Sequence, residues 1–168
     1  MTESEANRHI ESYIVQYGAR LSRLCFSLCK NYHDAEDLYQ ETWLKVSRKI
    51  MYYDSSKPFD RWLFSVCVNC FRDSLRRRTP LCEFDSTDHM ERFFESLPDL
   101  STEEKQDYSV LYAAMATLTA DERTAVSLFY FDDYDGKAAA SIMGVSSVNF
   151  RVMLARARKK LKGTISDE

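Results

Sequence analysis

Two stretches of the chain carry residue types suited to holding a nucleic acid. In FDRWLFSVCVNCFRDSLRRR, residues 59–78, large apolar residues recur at the spacing of a helix with one buried stripe. The predicted opposite strip carries Arg61, Ser65, Val68, Asn69, Arg72, Asp73 and Arg76, and the stretch ends in three arginines. A polar strip that ends in cations fits a helix that holds a nucleic acid. An ordinary amphipathic helix, with arginines at the negative end of its dipole, fits the same pattern.

The second stretch is basic throughout. Residues 148–162 contain six cations and no acid. A short helix from Lys137 to Met143, a break at Gly144 and a helix capped by Ser146 form a helix-turn-helix pattern. The residues predicted to point outward from the last helix are Val148, Asn149, Arg151, Val152, Arg156 and Lys159, and those predicted to point inward are Phe150, Leu154, Ala157 and Leu161. Apolar and amide side chains at such a helix start contact thymine methyl groups and adenine edges. A basic helix that is merely solvated remains the alternative.

Nothing in the sequence predicts an enzyme. The three histidines lie in unrelated contexts, and the glycine-rich phosphate loops, zinc-hydrolase motif and nucleophile elbow are missing. We predict no catalytic residue, no metal site and no cofactor. Two cysteine pairs, Cys25 with Cys29 and Cys67 with Cys70, have helical spacing and are predicted to fill the core. Cys82 is the cysteine expected to react most readily.

The elements that must position these residues are all predicted to be helical. A first helix is expected from about Glu5 to Lys30, and Asp34 is expected to cap a second. The second helix presents Asp37, Gln40, Glu41 and Leu44 on its outer side. An exposed leucine beside carboxylates indicates either a docking patch or a solvated face with one stray apolar residue.

Charge divides the chain into three parts. Residues 1–78 carry a net charge of +3, residues 79–107 carry −7, and residues 108–168 carry +1. We therefore predict an N-terminal domain of three to four helices over 1–78, an acidic linker over 79–107 and a C-terminal four-helix domain over 108–168. Capping boxes at Ser101–Glu104 and Thr119–Glu122 are expected to open two helices of the C-terminal part.

The polar start, MTESEANRHI, predicts no signal peptide, and the apolar runs are too short to span a bilayer. A cytoplasmic location is the expectation, with the cysteines reduced.

Three strings together resemble an extracytoplasmic-function (ECF) sigma factor of RNA polymerase. They are HDAEDLYQETWLKV (33–46), FDRWLFSVCVNCFRDSLRRR (59–78) and LTADERTAVSLFYFDDYDGKAAASIMGVSSVNFRVMLARARKKLK (118–162). The resemblance implies that 1–78 binds core polymerase and the promoter's −10 element, and that 108–162 reads the −35 element and touches the polymerase flap. The resemblance also implies a monomer when free, with core RNA polymerase and promoter DNA as partners, and in many relatives an anti-sigma factor.

The resemblance also implies roles for individual residues. The residues implied to dock on a coiled coil of the largest polymerase subunit are Asp37, Gln40, Glu41 and Leu44. Asn69 and Asp73, with the loop 51–58, correspond to the surface that takes a flipped base, and Arg72, Arg76 and Arg77 would hold phosphates.

The sequence departs from the family pattern at several positions. Val68 and Met153 stand where relatives usually carry Arg or Lys. Ala139 replaces a larger aliphatic residue, which predicts looser packing, and Asp135-Gly136 replaces a Ser-Tyr type pair.

Two other functions fit the same residues. One is a helix-turn-helix regulator that binds duplex DNA and recruits polymerase without melting the strands. The other is a sigma-like protein-interaction module that binds no DNA.

Overall fold

The computed structural model describes residues 2–77 and 114–166, and every regular element in those two ranges is helical. The helices are α1 (Glu3–Leu28), α2 (Tyr32–Lys49), α3 (Phe59–Arg77), α4 (Ala120–Val126), α5 (Gly136–Met143) and α6 (Ser147–Ser166). A 3-10 turn (Ile50–Tyr52) follows α2, and a π-helical turn (Ser127–Phe131) extends α4. The all-α prediction is confirmed. The predicted acidic linker and the Ser101–Glu104 capping box lie outside the described residues.

Side-chain caps set the starts of the first two helices. Thr2 caps α1 in a capping box with Glu5, so the helix begins at Glu3, two residues before the predicted start. The prediction that Asp34 caps α2 is wrong. Asn31 is the cap, since its side chain accepts a hydrogen bond from the Asp34 backbone N–H at 2.8 Å. Asn31 also donates its amide to the Asp34 carboxylate, so the turn is closed from both sides.

Helices α1, α2 and α3 bury one face each against one another. The core between them contains Leu21, Leu24, Leu38, Val46 and Leu63. Two residues expected on these apolar faces are exposed instead: Ile14 is 38% and Leu75 is 39% accessible. At both positions the apolar spacing of the helix continues, but no neighbouring helix covers the side chain.

The buried cysteines belong to this core. Cys25, Cys29, Cys67 and Cys70 are buried, and Cys25 Sγ lies 3.8 Å from Cys67 Sγ where α1 meets α3. Burial raises the pKa of the Cys25 and Cys70 thiols. The prediction that these residues pack as small apolar side chains fits this placement.

The C-terminal helices form the predicted helix-turn-helix. Thr119 and Glu122 make a capping box at the start of α4, as predicted. Gly144 ends α5 with φ +68°, a left-handed conformation that glycine adopts without strain. Ser146 then accepts a hydrogen bond from the Asn149 backbone N–H at 3.1 Å. Helices α5 and α6 meet at 101°, within the range of DNA-binding helix pairs.

The two groups of helices pack on each other. Arg123 of α4 donates Nε–H to the carbonyl of Leu28, the last residue of α1, at 2.9 Å. The rings of Phe64 and Tyr134 pack edge to face with their centroids 5.8 Å apart. The described part of the chain therefore has one continuous apolar core that crosses from α3 to α5.

In the described ranges no single helix is long and apolar enough to cross a membrane; α5 and α6 together meet that criterion by length and composition alone.

Candidate nucleic-acid interface

The outer face of α2 has the character that its sequence predicted. Asp37, Gln40 and Leu44 are exposed, and Leu44 is 56% accessible although it is apolar. Glu41, half-buried, accepts a hydrogen bond from Arg77 of α3 at 3.2 Å. Because residues spaced three and four apart share a helix face, the four predicted docking residues form one acidic surface with a leucine at its end.

The outer face of α3 places Asn69 in solvent and surrounds Asp73 with cations. Lys45 Nζ lies 3.4 Å and Arg76 Nη1 lies 3.5 Å from the Asp73 carboxylate. Arg77 also donates Nε–H to the backbone carbonyl of Asp73 at 3.3 Å. Exposed pairs of this kind contribute little to stability, so these cations can exchange a carboxylate for a phosphate at small cost.

Arg72 is not on this outer face. Its Nη1 donates to the backbone carbonyl of Met143 in α5 at 2.7 Å, and its Nε lies 3.8 Å from a carboxylate oxygen of Asp121. The structure brings Asn69, Asp73, Arg76 and Arg77 together and turns Arg72 towards the C-terminal helices.

The placement predicted for Val68 is wrong. It was expected on the polar strip, but its exposed fraction is 0%. Phe64 and Arg72 lie one turn before and one turn after it; Phe64 contacts Tyr134, just before α5, and Arg72 contacts Met143, at the end of α5. Val68 is buried because α3 has a second contact face, directed at α5, in addition to the one that packs on α1 and α2.

The loop before α3 presents an aromatic side chain to solvent. Tyr52 is 87% accessible, whereas Tyr53 stacks on Trp62 with ring centroids 4.9 Å apart. Asp54 accepts hydrogen bonds from the backbone N–H and the hydroxyl of Ser56, and these bonds lower the pKa of its carboxyl. A loop held rigid by such a turn, with one free aromatic ring, is suited to stacking on an unpaired base.

Helix α6 separates its two faces as predicted. Phe150, Leu154, Ala157 and Leu161 are buried. The six residues predicted to contact DNA, which are Val148, Asn149, Arg151, Val152, Arg156 and Lys159, are all exposed. The helix start therefore offers apolar and amide groups, and the cations follow along the same side.

An open cavity of about 410 Å³ lies between α4 and the later turns of α6. Arg156, Lys159 and Lys160 line it opposite Asp121 and Glu122, and Met153 forms part of its wall. Lys160 Nζ is 2.5 Å from Glu122 Oε1. Burial opposes ionisation of Glu122, but hydrogen bonds from Lys160 and Thr119 outweigh it and hold the pKa of the carboxyl below its usual value. The acids therefore balance part of the positive charge at this end of α6.

Sequence reasoning missed the contacts made by Tyr134 and Arg20. Tyr134 lies just before α5 and is buried. Its hydroxyl accepts a hydrogen bond from Arg20 Nη2 at 3.1 Å and donates to the Asp60 carboxylate. Burial, and then the bond to Asp60, raise the pKa of Tyr134. Because the partners are more than 70 residues away along the chain, no local sequence pattern predicts these hydrogen bonds.

Comparison with known proteins decides the family. Two family models match the chain, Sigma-70 region 2 over residues 13–80 and Sigma-70, region 4 over residues 108–161. The ECF RNA polymerase sigma factor SigM of Bacillus subtilis is 33% identical over 153 residues, covering 91% of this chain and 93% of the relative. This chain belongs to the ECF sigma factors. A second relative, SigE of Mycolicibacterium smegmatis, is 28% identical and covers 90% of this chain and 60% of its own length.

Solved structures share the fold of this ECF sigma factor. CnrH, solved in complex with the cytosolic domain of CnrY, superposes with a TM-score of 0.70 at 19% identity, covering 99% of this chain and 96% of CnrH. The sigma factor RpoE of Bartonella quintana, solved with the anti-sigma factor NepR, gives a TM-score of 0.73 at 21% identity, covering 95% and 98%.

The family membership confirms the leading functional prediction. An ECF sigma factor binds core RNA polymerase, recognises promoter elements and promotes strand opening for transcription initiation. A helix-turn-helix regulator that recruits polymerase without melting, and a module that binds no DNA, are thereby displaced as the principal function.

Proposed function

We propose that three surfaces of this sigma factor divide its work. The acidic face of α2, with Asp37, Gln40, Glu41 and Leu44, docks on core RNA polymerase. The outer face of α3, with Asn69, Asp73, Arg76, Arg77 and the loop 51–58, takes the −10 element, and Arg72, on the adjoining side of the same helix, is its further phosphate contact. The exposed face of α6, with Val148, Asn149, Arg151, Val152, Arg156 and Lys159, reads the −35 element. We propose with them the predicted division of the chain into a domain over 1–78, an acidic linker over 79–107 and a domain over 108–168.

The exposure of Leu44 carries the assignment of the polymerase surface. Leu44 is 56% accessible beside carboxylates, so the fold leaves most of its apolar surface in solvent. An exposed apolar residue next to polar and charged ones is an arrangement found in protein-binding interfaces.

In this proposal the chain recognises the promoter, and the polymerase catalyses the synthesis of RNA. We assign the chain no catalytic residue of its own and place its action in the cytoplasm, where polymerase and chromosome meet. The two solved relatives are bound by partner proteins, one of them named an anti-sigma factor. We propose that a protein of that class also binds this chain and keeps it inactive until initiation is required.

The decisive experiment is run-off transcription from a genomic library with purified core enzyme and this chain. Specific transcripts that require both components are expected. Tight binding to duplex DNA without polymerase, together with no initiation, would support the regulator hypothesis instead. Binding to polymerase with no initiation at any promoter would support the interaction-module hypothesis.

Asn69→Ala tests the −10 surface within that assay. Because Asn69 is exposed, the change leaves the core intact, and the loss of one hydrogen bond to an unpaired base should reduce open-complex formation roughly tenfold. Binding to core enzyme should be unchanged. Asn7→Ala, the same substitution at an exposed position of α1, is the control. Equal losses of open-complex formation and core binding would remove Asn69 from the −10 surface.

A further inference from the structure

Two ion pairs join the outer faces of α2 and α3. Lys45 Nζ lies 3.4 Å from Oδ2 of Asp73, and Arg77 Nη2 lies 3.2 Å from Oε1 of Glu41. On each helix the two partners are four residues apart, so the pairs follow one another at an interval of one helical turn. Lys45 belongs neither to the residues assigned to polymerase nor to those assigned to the −10 element.

The helices beneath the Lys45–Asp73 pair are fixed by packing. Thr42 and Val46 of α2 and Cys70 of α3 are the near neighbours of the pair along the chain, and all three are fully buried. Side chains that project from packed helices keep their positions more closely than side chains on loops. The geometry of the pair therefore depends on its two side chains rather than on movement of the backbone.

Each carboxylate oxygen of Asp73 has a cation beside it, but the two cations differ in freedom. Lys45 lies near Oδ2, and Arg76 Nη1 lies 3.5 Å from Oδ1. The Arg76 side chain is 77% accessible and comes from the same helix, whereas that of Lys45 is 31% accessible and reaches across from α2. Because a mostly solvated side chain retains more rotamer freedom, Lys45 is the partner that holds the carboxylate in one orientation.

The orientation of Asp73 matters for reading a base. Asn69 lies one turn before Asp73 on the same helix and is exposed, so both side chains can reach one unpaired base. An ionised carboxylate has about four acceptor sites, so a contact to Lys45 leaves sites for the amino group of a base. A hydrogen-bond acceptor distinguishes one base edge from another only while its direction is fixed.

We propose that Lys45 is a positioning residue of the −10 surface. It orients the Asp73 carboxylate towards the unpaired base and itself contacts neither a base nor a phosphate. The proposal rests on the assignment of Asn69 and Asp73 to the −10 element. It adds to that surface a residue of α2, the helix whose outer face is assigned to polymerase.

Selection of single-stranded DNA by the holoenzyme tests this role. Core enzyme with the full chain captures sequences from a pool with randomised positions, and sequencing the bound fraction gives the base preference at each position. Lys45→Met keeps the apolar stem and removes the ammonium. It should reduce the preference about threefold at the position where Asp73→Ala also reduces it, and leave the other positions unchanged. Lys45→Arg should restore the preference.

A double variant separates positioning from a direct contact. Because Lys45 acts through Asp73, adding Lys45→Met to Asp73→Ala should cause no further loss, and additive losses would overturn the proposal. With the best selected sequence, Lys45→Met should not change the slope of log K against log salt. A decrease in that slope of about 0.7 would show a contact to a phosphate of the single strand and would also overturn it.

Lys49→Met is the matched control, since Lys49 is exposed one turn farther along α2. It should leave every base preference unchanged. Binding to core enzyme and the melting temperature should be the same for Lys45→Met as for Lys49→Met. Weaker binding of Lys45→Met to core enzyme would place Lys45 on the polymerase surface. A lower melting temperature with an equal loss at all positions would show a structural role; either result overturns the proposal.

Failure of this proposal differs from failure of the −10 assignment. If Asp73→Ala removes a base preference and Lys45→Met does not, only the positioning role of Lys45 is wrong. If the unmodified holoenzyme selects no sequence, or if Asn69→Ala and Asp73→Ala change no preference, the assignment of α3 is wrong and the role of Lys45 is refuted with it.

Discussion

Arg123 offers a direct test of how the two groups of helices stabilise each other. It is a charged residue of α4 that is only 5% accessible. Its guanidinium donates to two backbone carbonyls, at 2.9 Å to Leu28, the last residue of α1, and at 3.3 Å to Leu118. The final carbonyls of a helix have no partner within the helix, so Arg123 supplies one from a distant part of the chain.

Arg123→Met removes both hydrogen bonds and keeps most of the apolar volume. A hydrogen bond from a charged group contributes about 1.5–3 kcal/mol, and we take the lower end for the longer bond. The variant no longer buries a cation, which favours its folded state, but two carbonyls lose this donor, which disfavours it. The expected loss is about 3 kcal/mol of unfolding free energy. At about 2–4 °C per kcal/mol for a chain of this length, the melting temperature should fall by about 6–12 °C.

Urea unfolding followed by circular dichroism, together with calorimetry, measures both quantities. Arg61→Met is the matched control because Arg61 is exposed on α3, and its effect should stay within about 0.5 kcal/mol. Equal stabilities of Arg123→Met and Arg61→Met would refute the argument that Arg123 caps α1. Arg123→Lys should recover part of the loss, since an ammonium reaches one carbonyl but not two in the same geometry.

The remaining predictions concern the surfaces and the response to pH. Leu44→Ser should weaken binding to core polymerase roughly thirtyfold in a fluorescence titration, as expected for a hot spot, while Val15→Ser should not change it. Arg156→Ala should weaken binding to −35 DNA and lower the slope of log K against log salt by about 1; an unchanged slope would mean that Arg156 holds no phosphate. Burial raises the pKa of Asp132 to about 7, against the attraction of nearby arginines on α1. The folded protein therefore binds this proton more tightly than the unfolded chain, so stability should fall as pH rises from about 4 to about 7 and then level off. Asp132→Asn should remove that decline in urea titrations, whereas Asp133→Asn should retain it.

Much of the local structure was predictable because it depends on neighbours in the sequence. The capping box of Thr119 and Glu122 and the stop at Gly144 act within one helical turn. The division of α6 into buried and exposed faces follows from its 3.6-residue period. The Asp34 cap was predicted wrongly because Asn31, three residues earlier, caps the helix by accepting a hydrogen bond from the Asp34 backbone N–H, which places Asp34 inside the first turn.

The surfaces for polymerase and for DNA were predictable to the extent that they are single helix faces. Leu44 could be singled out because an apolar residue among carboxylates breaks the pattern of its own helix. Nothing in the sequence around Arg72 indicated that a carbonyl 71 residues away would occupy its guanidinium. The contacts of a side chain as long as arginine are determined only when the helices have packed.

The sequence by itself determined that the chain is helical, that its last two helices form a helix-turn-helix, and which faces are charged. Those properties follow from spacing, capping and composition within short windows of the chain. Only the tertiary structure decided which apolar residues of α3 pack on α1 and α2 and which pack on the C-terminal part of the chain. Val68 lies among polar residues at helical spacing, and a single period cannot describe a helix that packs on two partners in different directions. The burial of Val68 and the hydrogen bonds of Tyr134 exist only when α3 and α5 meet, because each partner comes from a distant part of the chain.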